Sequence, residues 1–135
     1  MPTLDTPHSI LNEVIRDVLK RWGKSTRAEV QLMPFNPSIL GFVRAGQETI
    51  YVNTVPLSGV NHDNLGQYLY VVILHEYLHL LGVADEREVR RMTLEIVDEK
   101  FGESSFAHNL SLNLADPRDV MLMNSWKNGR PHTYM

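Results

Sequence analysis

The chain has 135 residues, enough to bury a hydrophobic core as one domain without disulfides or a structural metal. Its 13 Lys and Arg against 16 Asp and Glu leave a formal net charge of -3, so no global attraction to nucleic acid or to an anionic membrane surface is expected. It has no cysteine, which excludes a disulfide framework and thiolate metal sites: any metal must be held by His, Asp or Glu.

The first residues, MPTLDTPHSI, lack the basic segment and continuous apolar stretch of a secretion signal, and the longest apolar run, YLYVVILH, is far short of a membrane span. A cytoplasmic protein without membrane or nucleic-acid partners is the expectation. Ile10, Leu11, Val14, Ile15, Val18, Leu19 and Trp22 recur at three- and four-residue spacing, which predicts an amphipathic helix over residues 7–22, ended by Gly23 and packed on a sheet. AEVQLMPF, SILGFVRA and ETIYVNTV are short, rich in apolar and β-branched residues and separated by turn residues, so three strands in a meander are expected. The third of them offers itself as a sheet edge for an extended substrate, or as an ordinary core strand. After the loop PLSGVNHDN, residues 64–81 read as a largely buried helix that Gly82 stops. A second amphipathic helix follows from Glu86 to Phe101, closed by Gly102. Residues 103–135 form an irregular tail in which only Phe106–Leu114 has the pattern of a short helix. The whole is an α+β fold in one domain: an N-terminal helix, a small three-stranded sheet and two further helices.

The chemistry is concentrated in LHEYLHLLGVADERE, residues 74–88. On a helix, His75 and His79 differ by about 40° and stand one above the other, while Glu76 lies about 100° from the first and 60° from the second. Two imidazoles can reach one ion while the glutamate stands beside it, free to take a proton from bound water. That is why H-E-x-x-H carries zinc hydrolase chemistry. The bland reading is a buried helix whose histidines bond to backbone or carboxylates. Three ionisable groups on so apolar a helix are costly to bury without a shared counterpart, which a metal provides.

Zinc needs a third protein ligand, and the acids that follow compete for the place. Asp85 with Glu88 has the form of a capping box. Relative to Val89, the apolar positions Met92, Thr93 and Ile96 fall within about 60°, and Glu86 falls at about 60° on the same side. Glu88, Glu95, Asp98 and Glu99 fall at about 180–280°, on the solvated side. Glu86 is the acid that points inward, although in the first turn it would also complement the helix dipole. Asp85 remains an alternative. His75-Glu76-x-x-His79-x-x-Gly82-x-x-Asp85 also fits the metzincin pattern, for which Met121 or Met123 would form the methionine turn.

HEYLHLLGVADEREVRRMTLEIVDEKFGE resembles the gluzincin metallopeptidases and, within them, the small archaeal minigluzincins. The resemblance covers residues 7–102, with specific motifs only between His75 and Gly102. It implies a zinc peptidase with His75, His79 and Glu86 as ligands and Glu76 as general base. Its substrate would be a peptide or an unfolded protein, and its latent, zymogen-like forms would have the cleft filled by the chain's own terminus or a neighbouring copy. Gluzincins often carry a second acid four residues after the ligand glutamate to orient a histidine; Arg90 stands there, so the groups that orient the histidines must differ. Tyr77, His108, His132 and Tyr134 are candidates for the oxyanion donor. A bacterial endoribonuclease family has a similar H-x-x-x-H-L-L-G string, but usually without the glutamate and with a third histidine where Asp85 stands.

Overall fold

A computed structural model describes residues 6–113. It is α+β: α1 (Thr6–Trp22), β1 (Glu29–Met33), β2 (Gly41–Val43), β3 (Thr49–Asn53), the one-turn α2 (Thr54–Leu57), a 3-10 turn (His62–Asn64), α3 (Leu65–Leu80), α4 (Glu86–Phe101) and α5 (Phe106–Asn113). The helix that the spacing marks within residues 103–135 is therefore present as α5. Among the described residues no helix is long and apolar enough to cross a membrane.

α3 is the centre of the molecule. Every residue from Tyr68 to Leu78 is buried, because α1, α4, α5 and the sheet all pack around it. Its six buried aliphatic side chains, Leu69, Val71, Val72, Ile73, Leu74 and Leu78, contribute on the order of 10 kcal/mol. That is comparable with the several kcal/mol that each buried charge costs, so the helix can hold His75 and Glu76 inside the core. α1 buries Ile10, Leu11, Val14 and Val18, while Leu19, on the apolar face by spacing, is exposed. It packs chiefly on α3 with β1 at its flank, rather than on the sheet as expected.

The strands do not form a meander. Their order is β1-β3-β2, with β1 parallel and β2 antiparallel to β3. The cause lies at Asn53, fully buried at the end of β3. Its amide donates to the carbonyls of Phe35 (3.1 Å), Asn36 (2.8 Å) and Ile39 (2.8 Å), and its Oδ1 accepts from the N–H groups of Phe35 (3.1 Å) and Val55 (3.0 Å). The connection leaving β1 is thus pinned across the end of β3, and β2 starts on the far side, with Asn53 N–H donating to the Leu40 carbonyl at 2.9 Å. β3 is therefore the central strand, hydrogen-bonded on both sides and closed to a substrate. Among the described residues β1 and β2 are the edges.

Ile50, Val52 and Val30 face the helices. On the opposite face Phe42 stacks on Tyr51 at 4.8 Å, with the Arg44 guanidinium over both rings. This face gives the thin sheet a second apolar layer.

Candidate metal centre

Three local devices bring the site together. The first is the pitch of α3, which places the His75 and His79 rings 5.1 Å apart, with His75 and Glu76 buried and His79 partly so. The second is the end of that helix. Gly82, at φ 103°, takes a conformation that a β-carbon would oppose, and the chain folds back on itself. Gly82 N–H donates to the His79 carbonyl (3.0 Å) and Val83 N–H to the Leu78 carbonyl (3.1 Å), the paired bonds of a Schellman cap. The third is the start of α4. Asp85 is extended (φ -72°, ψ 120°), and its carboxylate accepts from Arg87 N–H at 3.0 Å, so Glu86 becomes the first helical residue and turns inward. Glu88 does not complete the capping box; it pairs with Arg91 on the surface.

The fold-back has a chemical result. The Val83 carbonyl lies 2.8 Å from His79 Nδ1, and a carbonyl can only accept, so Nδ1 carries a proton and in the neutral ring Nε2 presents the lone pair. Nε2 of His79 lies 3.0 Å from Glu86 Oε2, and Nε2 of His75 lies 3.3 Å from Glu86 Oε1. The three side chains each offer one ligand atom, all within 4.8 Å of one another. Zinc bonds of about 2.05 Å in a tetrahedron set their ligand atoms about 3.3 Å apart, so this set of two nitrogens and a carboxylate fits the ion. His75 Nε2 is buried and, despite its nearness to Glu86, makes no hydrogen bond of acceptable geometry among the described residues. A metal held by these three side chains would give this atom a partner.

The charges agree with such a cluster. Burial pushes the Glu86 carboxyl up, but the close approach of the two imidazoles, and their charge when protonated, outweighs it and brings the group down to about 2. Burial likewise opposes charge on His79. Its contact with Glu86, the charges of Glu76 and Glu86 and the Val83 carbonyl together hold it above its ordinary value. Glu76, 4% exposed and next to His75 in the chain, adds its charge to the influences on His79 and does not belong to the ligand group.

The other expected residues have different positions. Asp85 caps α4 and is not in the ligand group. The Tyr77 hydroxyl is engaged by the backbone of Thr26, accepting from N–H (2.9 Å) and donating to the carbonyl (3.3 Å). His108, on α5, pairs with Asp98, which is twelve residues and about 18 Å along α4 from Glu86, so it too is remote from the centre. Met121, Met123, His132 and Tyr134 lie outside the described residues. The Val83 carbonyl takes the orienting role that the Arg90 position cannot serve. Sequence spacing carries no sign of it beyond Gly82 itself. No protein-family model, curated protein or solved structure matches this chain.

Proposed function

We propose that the chain is a zinc-dependent metallopeptidase, with His75, His79 and Glu86 holding the metal and Glu76 as the general base. The observation that carries this reading is the convergence of two Nε2 atoms and a carboxylate, with one buried nitrogen that makes no hydrogen bond and a second buried acid, Glu76, next to His75 in the chain. The gluzincin resemblance of residues 75–102 supports the same assignment. Zinc, when bound, supplies a Lewis acid that polarises the scissile carbonyl and acidifies water. Glu76 takes the proton from the attacking water and delivers it to the departing amine as the carbon–nitrogen bond breaks. His79 is kept in the ligating tautomer by Val83, and Glu86 balances the charge of the ion.

β2, not β3, is the strand suited to hold substrate. Leu40 accepts from Asn53, so by antiparallel alternation Leu40 and Phe42 turn their backbone groups to β3, whereas Gly41 and Val43 turn theirs to the open edge. An extended peptide pairing there would lie beside Glu76, held by main-chain bonds that demand little of its sequence. The preferred setting is the cytoplasm, with peptides or unfolded proteins as substrates. The segment after α5, or a second copy of the chain, would keep the protein latent; equal activity with and without residues 114–135 would exclude the first of these.

The test couples metal analysis to digestion of a peptide library. Wild type should retain one zinc and cleave, Glu86→Ala should lose the metal, and Glu76→Gln should keep the metal and lose cleavage. Zinc held equally by Glu86→Ala would remove Glu86 from the site. Zinc uptake with no difference between wild type and Glu76→Gln would leave a binding protein without turnover, and cleavage of RNA beside intact peptide would make it a nuclease.

A further inference from the structure

β2 meets α3 at one unusually close point. A β-carbon on Gly41 would lie 2.8 Å from Val72 Cγ1, 2.9 Å from the Tyr51 carbonyl oxygen and 3.4 Å from Glu76 Cγ. The first two separations are closer than a real β-carbon tolerates. Neither neighbour can yield alone: Val72 is buried in the central helix, and the Tyr51 oxygen belongs to the backbone of the central strand. Turn geometry does not explain the glycine, because Gly41 is not among the residues with positive φ. Close approach does.

We propose that Gly41 is a positioning residue for Glu76: lacking a β-carbon, it lets β2 seat directly on α3 at Val72 and Glu76, and this contact fixes the glutamate beside His75 and His79. The Glu76 stem is held between its own helix and the strand, where the residue is 4% exposed. A side chain at position 41 would part strand from helix and release that stem. The base would then stand at the wrong distance from a metal centre that is itself intact, because the atoms nearest to where a β-carbon on Gly41 would lie belong to Val72, Tyr51 and Glu76 and to none of the three ligands.

The kinetic part of the test rests on the peptidase reading, so a spectroscopic part accompanies it. Full-length, zinc-loaded wild type, Gly41→Ala, Gly41→Ala with Val72→Ala, and the core truncation Val18→Ala are compared. Gly41→Ala should keep its zinc and its KM while kcat falls on the order of tenfold to a hundredfold, the scale for a displaced catalytic group. Val72→Ala, which removes the closest side-chain atom, should restore part of that loss. The carbon-13 signal of the Glu76 carboxyl, assigned by its absence in Glu76→Gln, should move on zinc addition in wild type and Val18→Ala and move less in Gly41→Ala. Wild-type kcat and a wild-type carboxyl response in Gly41→Ala, with only a lowered melting temperature, would overturn the proposal, as would a raised KM at unchanged kcat. If Gly41→Ala does not fold, Val72→Leu crowds the same contact from the helix side, and the same two outcomes decide. If wild type shows no turnover but its carboxyl signal responds to zinc and that of Gly41→Ala does not, the peptidase reading fails while the role of Gly41 stands.

Discussion

His79 donates from Nδ1 to the carbonyl of Val83, four residues ahead, and this bond exists because the helix between them ends in a left-handed glycine. Gly82→Ala should therefore do more than strain the backbone. The strain itself costs roughly 1–2 kcal/mol, and loss of the orienting carbonyl should weaken zinc binding by about 10- to 100-fold. Gly46→Ala, at φ 80° in the β2–β3 turn, is the matched control, strained but with none of His75, His79 or Glu86 within 4 Å of where its β-carbon would lie. Chelator competition on the two variants decides the matter, and equal zinc affinity would show that the Val83 bond is incidental.

Asp85 and Glu86 are neighbours with separable roles. Asp85→Ala removes the cap of α4 and should lower stability by about 1 kcal/mol with zinc retained, whereas Glu86→Ala should release zinc. Urea denaturation and metal content of the two proteins test this directly. Zinc lost by Asp85→Ala but held by Glu86→Ala would favour the metzincin arrangement instead.

In the metal-free protein the ligand cluster should make stability depend on pH from both sides. Glu86 is held at about 2, below its ordinary 4.5, so its contribution is complete above about pH 4.5 and is lost as pH falls toward 2. His79 is held above its ordinary 6.5, so its contribution is complete below about pH 6.5 and is lost as pH rises through the raised value. Between those limits the pair stabilises the fold most. Melting curves of chelator-treated protein should show this plateau, and Glu86→Gln should flatten it. With zinc present the ligands must be deprotonated, so metal affinity should instead fall steadily with acidification.

Two buried tyrosines on α3 should respond oppositely to loss of their hydroxyls. Tyr77 is bonded to Thr26, and Tyr77→Phe should cost about 1–2 kcal/mol by leaving that backbone without its partner. Tyr68 has a buried hydroxyl with no partner among the described residues, and burial alone pushes its phenol up to about 12. Tyr68→Phe should be neutral or stabilising in the same unfolding assay. A large loss there would reveal a bound water or other partner on that oxygen.

The elements legible in the sequence are those set by local rules. α1, α3 and α4 follow from apolar spacing and from Gly23, Gly82 and Gly102 at their ends, and the inward turn of Glu86 follows from the wheel once Asp85 is taken as the cap. Strand order is not legible, because the order depends on a single buried amide, Asn53, whose five bonds reach residues fourteen to eighteen positions away as well as its near neighbour Val55. The same limit hides β2 as the strand beside Glu76: a glycine in a short apolar run carries no mark of what it approaches. The Val83 carbonyl is hidden for a different reason, since any residue supplies one.

The three residues proposed to hold the metal all come from residues 75–86, a span closed by one turn, so assembling them costs little chain entropy. Even a largely unfolded chain would hold these groups near one another, so zinc should stabilise the native state by less than its native affinity alone would give. The strand that positions Glu76 comes from thirty-five residues upstream and reaches the helix only when the sheet has formed. On the proposed reading, capturing the metal would be a local property of this sequence, while making it reactive would require the long-range fold.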